Sequence, residues 1–437
     1  MATPIITADV AGHLADDLAH GTLLRLATAG SVDDGKSTLV GRLLHDTKNV
    51  LSDQLAAVER VSRERGLTAA DLALLTDGLR AEREQGITID VAYRYFATSR
   101  RSYILADCPG HVQYTRNTVT GSSTADVVVL LTDARKGVLE QTRRHLAVAA
   151  LLRVPHVIVA VNKIDLVDFS RQVYETVSAD IRAVAAGLGV EHVLTIPTSA
   201  LTGDNIVERS ANTPWYDGPS LLDLLETLPV DAAGDEPGFR FPVQLAVRPQ
   251  QAAVDPSLVD YRGYAGQVAA GRVAVGDEVV VQPSGRRSRV VGIDLGGRRL
   301  AEARAPQSVT LRLADEIDIA RGDTIVSPDL AVAPVRELSA VVCWLSDQPL
   351  APRTRYLVKH GSASVQAIVT AVSSRLDLDS LSDVPASGLG LNDIGRVHLR
   401  LAAPLPATDY ATSRPGGAFL LVDPASGGTL AAGMVAS

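Results

Sequence analysis

The sequence predicts an α/β domain with a mostly parallel sheet, followed by two small β-barrels. Three observations support this fold class. Up to about residue 230, apolar strand-like runs alternate with amphipathic helix-like segments, and beyond residue 238 the helical pattern stops. A glycine-rich motif joins the first predicted strand to the first predicted helix. Short β-type runs separated by Gly, Pro and Asp fill the rest of the chain.

Six apolar runs predict the strands of the first domain. Residues 127–131 and 157–161 are continuously apolar, as strands covered by helices on both faces must be. Motifs follow several of these strands directly, at the edge where open α/β sheets bind their ligands. The six predicted strands are Leu23–Thr28, Val91–Ala97, Ser102–Asp107, Ala125–Asp133, His156–Asn162 and Glu191–Pro197.

Eleven β-type runs predict the two barrels, and turn-rich segments separate the domains. Residues 231–238 are acidic, small and rich in turn formers, which predicts a linker, and Pro328 and Pro334 interrupt the pattern between the barrels. The predicted divisions are an N-terminal extension at 1–21, the α/β domain at 22–230, the linker at 231–238, and barrels at 239–330 and 331–437. The runs are Phe241–Val247, Tyr264–Ala270, Asp277–Gln282, Arg289–Asp294, Ser308–Leu313, Thr324–Val326, Leu338–Trp344, Arg355–His360, Ser362–Val372, Gly395–Leu401 and Ala418–Val422.

The composition is that of a globular protein with several domains. The chain has 437 residues, a formal net charge of −8 and 46% hydrophobic residues. No apolar run approaches the ~18 residues of a membrane span, and the first residues are acidic rather than basic, so we expect no membrane association and a cytoplasmic location. Cys108 and Cys343 lack a metal-ligand spacing, which predicts reduced thiols without a disulfide or a zinc site.

A complete G-x-x-x-x-G-K-[ST] phosphate loop lies between the first strand and an apolar-periodic helix that is predicted to begin with Leu39–Leu44. Its glycines let successive backbone N–H groups point at phosphate oxygens. Lys36 would place a positive charge on the outer phosphates, and Ser37 would offer its hydroxyl to Mg²⁺. The nucleotide-binding residues predicted in this loop are Gly30, Ser31, Val32, Asp33, Asp34, Gly35, Lys36, Ser37 and Thr38.

Two further motifs select the base. The Asp165 carboxylate can accept hydrogen bonds from the N1–H and the 2-amino group of guanine, and adenine offers neither donor. Backbone N–H groups after the last strand would contact the guanine O6. The base-reading residues are Asn162, Lys163, Ile164 and Asp165 in one motif and Ser199, Ala200 and Leu201 in the other. Together with the phosphate loop they predict a site for GTP and GDP.

The residues after the third strand, together with Thr88 before the second strand, predict the catalytic part of the site. Asp107 can hold a Mg²⁺ ion through its water shell. Thr88 is predicted to bind Mg²⁺ and the γ-phosphate and to release them after hydrolysis. His111, directly after an Asp-x-Pro-Gly sequence, is placed to order the attacking water. The segment comprises Asp107, Cys108, Pro109, Gly110 and His111. The predicted catalytic residues are therefore His111, Thr88 and Lys36, and the predicted metal ligands are Ser37, Thr88 and Asp107.

Two residues of the phosphate loop have open interpretations. Val32 either belongs to an apolar gate beside His111 or simply packs the loop. Asp33 is a candidate ligand for a monovalent cation.

By motif order and fold class, the chain resembles the translational GTPases, which include elongation factor Tu. Within that class it is similar to the GTP-driven large subunit of bacterial sulfate adenylyltransferase. Cys108 and Val112 depart from that pattern, since the family more often has Thr and Glu at these places. The similar segments are residues 31–38, 78–96 and 113–117 of the first domain and 315–323, 347–350 and 391–397 of the barrels.

The resemblance implies a two-protein enzyme. In that family a separate, small catalytic subunit of the ATP-pyrophosphatase type joins ATP and sulfate into adenosine 5′-phosphosulfate and pyrophosphate. The large subunit couples GTP hydrolysis to this uphill reaction. Some relatives carry a fused kinase, but no second phosphate loop follows residue 38, so we expect any such kinase to be a separate polypeptide.

Two other functions fit part of the pattern. An elongation-factor-like carrier of aminoacyl-tRNA would share the fold, and a nucleotide-gated scaffold would bind GTP without hydrolysing it. The Asp33-Asp34 pair and residues 93–96 disfavour the carrier, and the presence of both His111 and Thr88 disfavours the scaffold. From residue 240 onwards, 20 basic and 19 acidic residues nearly cancel, so nucleic acid is not an expected partner.

Overall fold

The computed structural model describes residues 23–50, 52–64, 72–75, 90–230, 238–249, 258–350 and 352–436. The chain divides into two compact units. The first unit runs to Val230 and includes the short piece Asp377–Ser382, and the second comprises the rest. The predicted extension at 1–21, residues 231–237 of the predicted linker, and Thr88 lie outside the described residues.

A six-stranded sheet forms the first unit. Its strands are β1 (Leu23–Gly30), β2 (Ala92–Ala97), β3 (Ser102–Asp107), β4 (Val127–Asp133), β5 (His156–Asn162) and β6 (Val193–Pro197). Their order across the sheet is β2-β3-β1-β4-β5-β6, and only the β2–β3 pair is antiparallel. Every residue of β4 is buried, because helices cover both faces of the central strands. The predicted mostly parallel sheet is confirmed.

Helices follow the strands of this unit. They are α1 (Lys36–Asp46), α2 (Ser52–Glu64), α3 (Thr115–Ser123), α4 (Glu140–Leu151), α5 (Arg171–Gly187) and α6 (Leu221–Thr227), with 3₁₀ turns at Leu72–Leu75, Val112–Tyr114 and Ile164–Val167. Helix α1 begins three residues before the predicted segment, so Lys36 and Ser37 lie in its first turn. None of the helices among the described residues combines the length and the hydropathy that a bilayer span requires.

The first barrel is a closed ring of six strands. Its strands and their short neighbours are β7 (Arg240–Val247), β8 (Gly263–Gln267), β9 (Arg272–Ala274), β10 (Glu278–Gln282), β11 (Arg286–Leu295), β12 (Arg298–Leu300), β13 (Glu302–Arg304), β14 (Ser308–Leu313) and β15 (Thr324–Val326). The ring order is β10-β15-β7-β8-β14-β11, and pairing of β10 with β11 closes it. Phe241, Tyr264 and Leu311 are among the side chains that fill its interior.

The second barrel also closes six strands. Its elements are β16 (Val335–Trp344), β17 (Arg355–His360), β18 (Ala363–Asp377), β19 (Ser382–Pro385), β20 (Ile394–Leu405), the single turn α7 (Arg414–Gly417), β21 (Ala418–Val422) and β22 (Thr429–Val435). The ring order is β17-β21-β22-β16-β20-β18, with β17 pairing to β18. The predicted two barrels are confirmed. Cys108 and Cys343 are both buried, and they form no disulfide with each other.

Strand β22 was not predicted, because its Ala and Gly residues have low β-propensity. Tertiary contacts within the barrel stabilise the strand despite this low β-propensity. β22 pairs with both β16 and β21, and the ring of Phe419 on β21 lies over Gly433, in the space that a side chain would occupy. Tertiary pairing and an aromatic ring over a strand glycine therefore complete the sixth strand.

Candidate functional site

The phosphate loop connects β1 directly to α1. Gly30 ends β1 with φ 145°, and a Cβ on it would lie 2.7 Å from the carbonyl oxygen of Leu131 on β4. Gly35 precedes α1 with φ 95°, and a Cβ there would collide with the Asn162 side chain. Both positions need glycine, because each combines a positive φ with a close neighbour.

Side chains of the loop hold its backbone in shape. Lys36 Nζ donates to the carbonyl oxygens of Gly30 at 3.0 Å and Ser31 at 2.8 Å, and Asp34 Oδ2 accepts from the Ser31 N–H at 2.7 Å. Burial lowers the pKa of Lys36, and the carboxylates of Asp107 and Asp34 oppose that shift. Burial likewise raises the pKa of Asp34. The loop therefore holds a desolvated cation that further negative charge would stabilise.

Three buried polar atoms at this site have no hydrogen-bond partner among the described residues. They are Ser31 Oγ, Asp34 Oδ1 and His111 Nε2. Buried polar atoms in native proteins are paired with protein, water or ligand. The donors and acceptors present fit a hydrated phosphate group and its metal ion.

The Asp107–His111 segment packs against the phosphate loop. The Thr28 hydroxyl, on the neighbouring strand, donates to Asp107 Oδ1 at 2.8 Å and accepts the Cys108 N–H at 3.3 Å. A Cβ on Gly110 would lie 2.7 Å from the Gly30 carbonyl oxygen and close to Lys36 Nζ. The Gly110 backbone thus reaches the loop only because it has no side chain.

His111 lies at the edge of this contact. It is half-buried and precedes the Val112–Tyr114 turn, where the Tyr114 N–H donates to its carbonyl oxygen at 3.0 Å. The rings of His111 and Tyr114 meet edge to face with centroids 6.1 Å apart. The turn and the ring contact orient an imidazole whose Nε2 is unpaired among the described residues.

Asn162 joins the phosphate loop to the predicted base site. Its Nδ2 donates to the Asp34 carbonyl oxygen at 2.7 Å, and its Oδ1 accepts the Ala200 N–H at 2.9 Å. Its side chain is buried at the carboxyl end of β5. One amide therefore fixes the spacing between the two loops that would hold opposite ends of a nucleotide.

Lys163 forms a second link. Its Nζ donates to the Asp33 carbonyl oxygen and pairs with Asp133 Oδ2 at 3.2 Å. Burial would raise the pKa of Asp133, but hydrogen bonds from Arg135 and Lys163 outweigh it and hold that pKa well below its usual range. Asp133 therefore stays ionised and keeps the Lys163 side chain beside the phosphate loop.

Asp165 and the Ser199–Leu201 segment adjoin Asn162. Asp165 is half-buried in the Ile164–Val167 turn. The Ser199 N–H donates to the Asp204 carbonyl oxygen at 3.2 Å, and the Ala200 N–H is taken by Asn162. Among the hydrogen bonds of the described residues, the Leu201 N–H is the one of the three left for a base oxygen.

The predicted nucleotide residues therefore meet along one edge of the sheet, after β1, β3, β5 and β6. Sequence reasoning missed three residues that support them: Thr28, Asp133 and Arg42. Thr28 and Asp133 could have been found, since each is a polar residue near the carboxyl end of an otherwise apolar strand. Arg42 could not, because it contacts residues far away in sequence.

Comparisons with known proteins agree with this architecture. The family model "Elongation factor Tu GTP binding domain" matches residues 22–230, and "GTP-eEF1A C-terminal domain-like" matches residues 337–436. The fold and the phosphate and base motifs thus define a GTPase of the elongation factor Tu type.

Curated relatives narrow the class. Sulfate adenylyltransferase subunit 1 of Laribacter hongkongensis is 48% identical over 99% of this chain and 89% of its own length. The protein of that name from Alteromonas mediterranea is 46% identical over 94% of this chain and 86% of its own length. This chain belongs to the sulfate adenylyltransferase subunit 1 family.

Longer relatives also match. A protein named bifunctional enzyme CysN/CysC, from Mycobacterium tuberculosis, is 51% identical over 95% of this chain. The chain spans 67% of the length of that relative. The similarity therefore concerns about two thirds of the bifunctional protein.

Proposed function

We propose that this chain is the GTPase subunit of a sulfate adenylyltransferase. It hydrolyses GTP and couples that reaction to the formation of adenosine 5′-phosphosulfate and pyrophosphate from ATP and sulfate. A separate, small catalytic subunit of the ATP-pyrophosphatase type carries out the transfer. The observation that supports the proposal most strongly is 46–48% identity to sulfate adenylyltransferase subunit 1 proteins over nearly the whole chain, together with the phosphate-loop and base-reading motifs predicted for a guanine nucleotide.

Each part of the site has one task in this proposal. Backbone N–H groups of the phosphate loop and Lys36 bind the β- and γ-phosphates, and Asp165 reads the base. His111 orders the water that attacks the γ-phosphate. Asn162 and Lys163 keep the base and phosphate subsites at a fixed spacing. The protein thus contributes positioning and charge, which is most of what phosphoryl transfer requires.

A Mg²⁺ ion fits the residues at the loop. Ser37 in the first turn of α1 would be its direct protein ligand, and the buried Asp107 carboxylate would hold its water shell. Thr88, outside the described residues, is proposed as the further ligand because of its place in the family motif. When bound, the ion neutralises charge on the β- and γ-phosphates.

A monovalent cation at Asp33 fits less well. Lys163 Nζ already donates to the Asp33 carbonyl oxygen, so a cation there would displace or repel an ammonium group. The Asp33 side chain is exposed and offers a single carboxylate. We therefore limit the proposed metal requirement to Mg²⁺.

Co-purification tests the proposed partner. A tagged form of the full chain, isolated from its native cell extract in the presence of GTP and Mg²⁺, should bring down an ATP-pyrophosphatase-like protein in stoichiometric amount. Mass spectrometry identifies the protein, and RNA staining checks for tRNA. The Lys36→Ala variant serves as the nucleotide-free control. Recovery of tRNA without such a protein would instead support the elongation-factor-like carrier.

A further inference from the structure

Helix α1 contacts both ends of the predicted nucleotide site. Its first residue, Lys36, belongs to the phosphate loop. Arg42, further along the helix, contacts the Ser199–Leu201 segment, which is predicted to bind the base. Arg42 Nε donates to the Ala200 carbonyl oxygen at 3.3 Å, and a second guanidinium nitrogen donates to the Leu201 carbonyl oxygen. These contacts span 158 and 159 residues of sequence.

Other contacts keep Arg42 in this position. Asp46, one turn further along α1, lies 3.5 Å from Arg42 Nη1. The chain after the Ser199–Leu201 segment turns at Gly203, which has φ 92°. The Gly203 N–H donates to the Ser199 carbonyl oxygen at 2.8 Å. A Cβ on Gly203 would be 3.7 Å from Arg42 Cδ, so the turn lies against the arginine side chain.

The two carbonyls that Arg42 binds determine where the neighbouring N–H groups point. Peptide planes are rigid, so fixing the Ala200 carbonyl fixes the Leu201 N–H in the same peptide unit. The Leu201 N–H is the donor left for the guanine O6. Charge-assisted hydrogen bonds from a guanidinium are stronger than neutral ones and hold two acceptors in one plane.

We propose that Arg42 is a positioning residue for guanine specificity, which holds the Ala200–Leu201 peptide in the orientation that recognises the base O6. The proposal rests on the guanine site proposed above and names a residue outside its motifs. Asn162 fixes the same segment through the Ala200 N–H. Arg42 fixes the next two peptide units of that segment through the carbonyl oxygens of Ala200 and Leu201.

The test compares GTP with 6-thioguanosine triphosphate. That analogue keeps the N1–H and 2-amino group read by Asp165 and replaces O6 with sulfur, a weak acceptor. Wild-type protein should prefer GTP. Arg42→Ala should reduce that preference by about tenfold, the effect of losing one neutral hydrogen bond from the Leu201 N–H to O6. Arg42→Lys, which retains the charge near Asp46 but lacks the planar fork, should give an intermediate loss.

Arg101→Ala is the matched control. Arg101 also caps two backbone carbonyls, those of Leu225 at 2.9 Å and Leu228 at 2.8 Å, but it precedes β3 and so lies at the sheet edge opposite the site. The Arg101→Ala variant should keep the wild-type preference for GTP over the thio-analogue.

The outcomes separate the two proposals. The same titration with ATP tests the guanine site: if wild-type protein does not distinguish GTP from ATP, that site is wrong and Arg42 has no role in it. If wild-type protein rejects ATP but binds GTP and the thio-analogue equally, O6 is not recognised and the role of Arg42 is overturned. If wild-type protein discriminates and Arg42→Ala and Arg42→Lys both keep the wild-type ratio of GTP to thio-analogue affinity, the role of Arg42 is overturned while the guanine site stands.

Discussion

We expect Asp165→Asn to weaken GTP binding by ~10⁴-fold, because a site built to pair with donor groups rejects a mismatched partner by that order. The carboxylate accepts from both the N1–H and the 2-amino group of guanine. An Asn side chain presents one acceptor and one NH₂ donor, so the donor would face a guanine hydrogen. Titration calorimetry with GTP and GDP measures the loss.

The same substitution should favour xanthine nucleotides. Xanthine carries a carbonyl oxygen where guanine has its 2-amino group, and the side-chain amide introduced by Asp165→Asn can donate to it. Asp168→Asn is the control, because Asp168 lies in the same loop, directly after the Ile164–Val167 turn, but is exposed. Unchanged GTP affinity in Asp165→Asn would remove this residue from the base site.

His111→Ala should keep nucleotide affinity and lose turnover by ~10²- to 10⁴-fold, the usual effect of removing a positioned acid–base group. The imidazole contacts neither the base motif nor the backbone of the phosphate loop in any described hydrogen bond, so binding should not suffer. Single-turnover release of phosphate from GTP, with the partner subunit present, measures the effect. The isolated chain should be slow even as wild type, since such GTPases often gain ~10³- to 10⁵-fold from a partner.

His156→Ala is the matched control for this variant. His156 begins β5, at the opposite end of the strand from Asn162, and its Nε2 is hydrogen-bonded to the Pro229 carbonyl oxygen at 2.8 Å. It should hydrolyse GTP normally. If His111→Ala hydrolyses GTP at the wild-type rate, His111 does not order the attacking water and has only a structural role.

Much of the site could be predicted because its parts are local in sequence. The phosphate loop needs Gly30 and Gly35 at fixed places in a strand–loop–helix unit, and that spacing can be recognised in the sequence. The same holds for residues that end apolar strands, since parallel strands bring their carboxyl ends to one edge. The roles of the individual site residues stay predictions that the variants above test, and the exact domain boundaries stay predictions as well.

What could not be predicted depends on contacts between distant segments. Arg42 looks like any solvated helix arginine until Ala200 and Leu201 are seen against it. Strand β22 has too little β-propensity to be found alone, and it exists because β16, β21 and the Phe419 ring surround it. In both cases tertiary structure overrides the local pattern.

In the proposed function, GTP hydrolysis drives sulfate activation. Forming a phosphate–sulfate anhydride from ATP is uphill, so a GTPase has a purpose here only if a two-state element links both sites. The most direct measurement follows phosphate release from GTP and pyrophosphate release from ATP together, in the reconstituted pair with and without sulfate. If the two reactions are coupled, adenosine 5′-phosphosulfate accumulates further with GTP than with GDP or no guanine nucleotide. Equal accumulation under all three conditions would contradict this coupling.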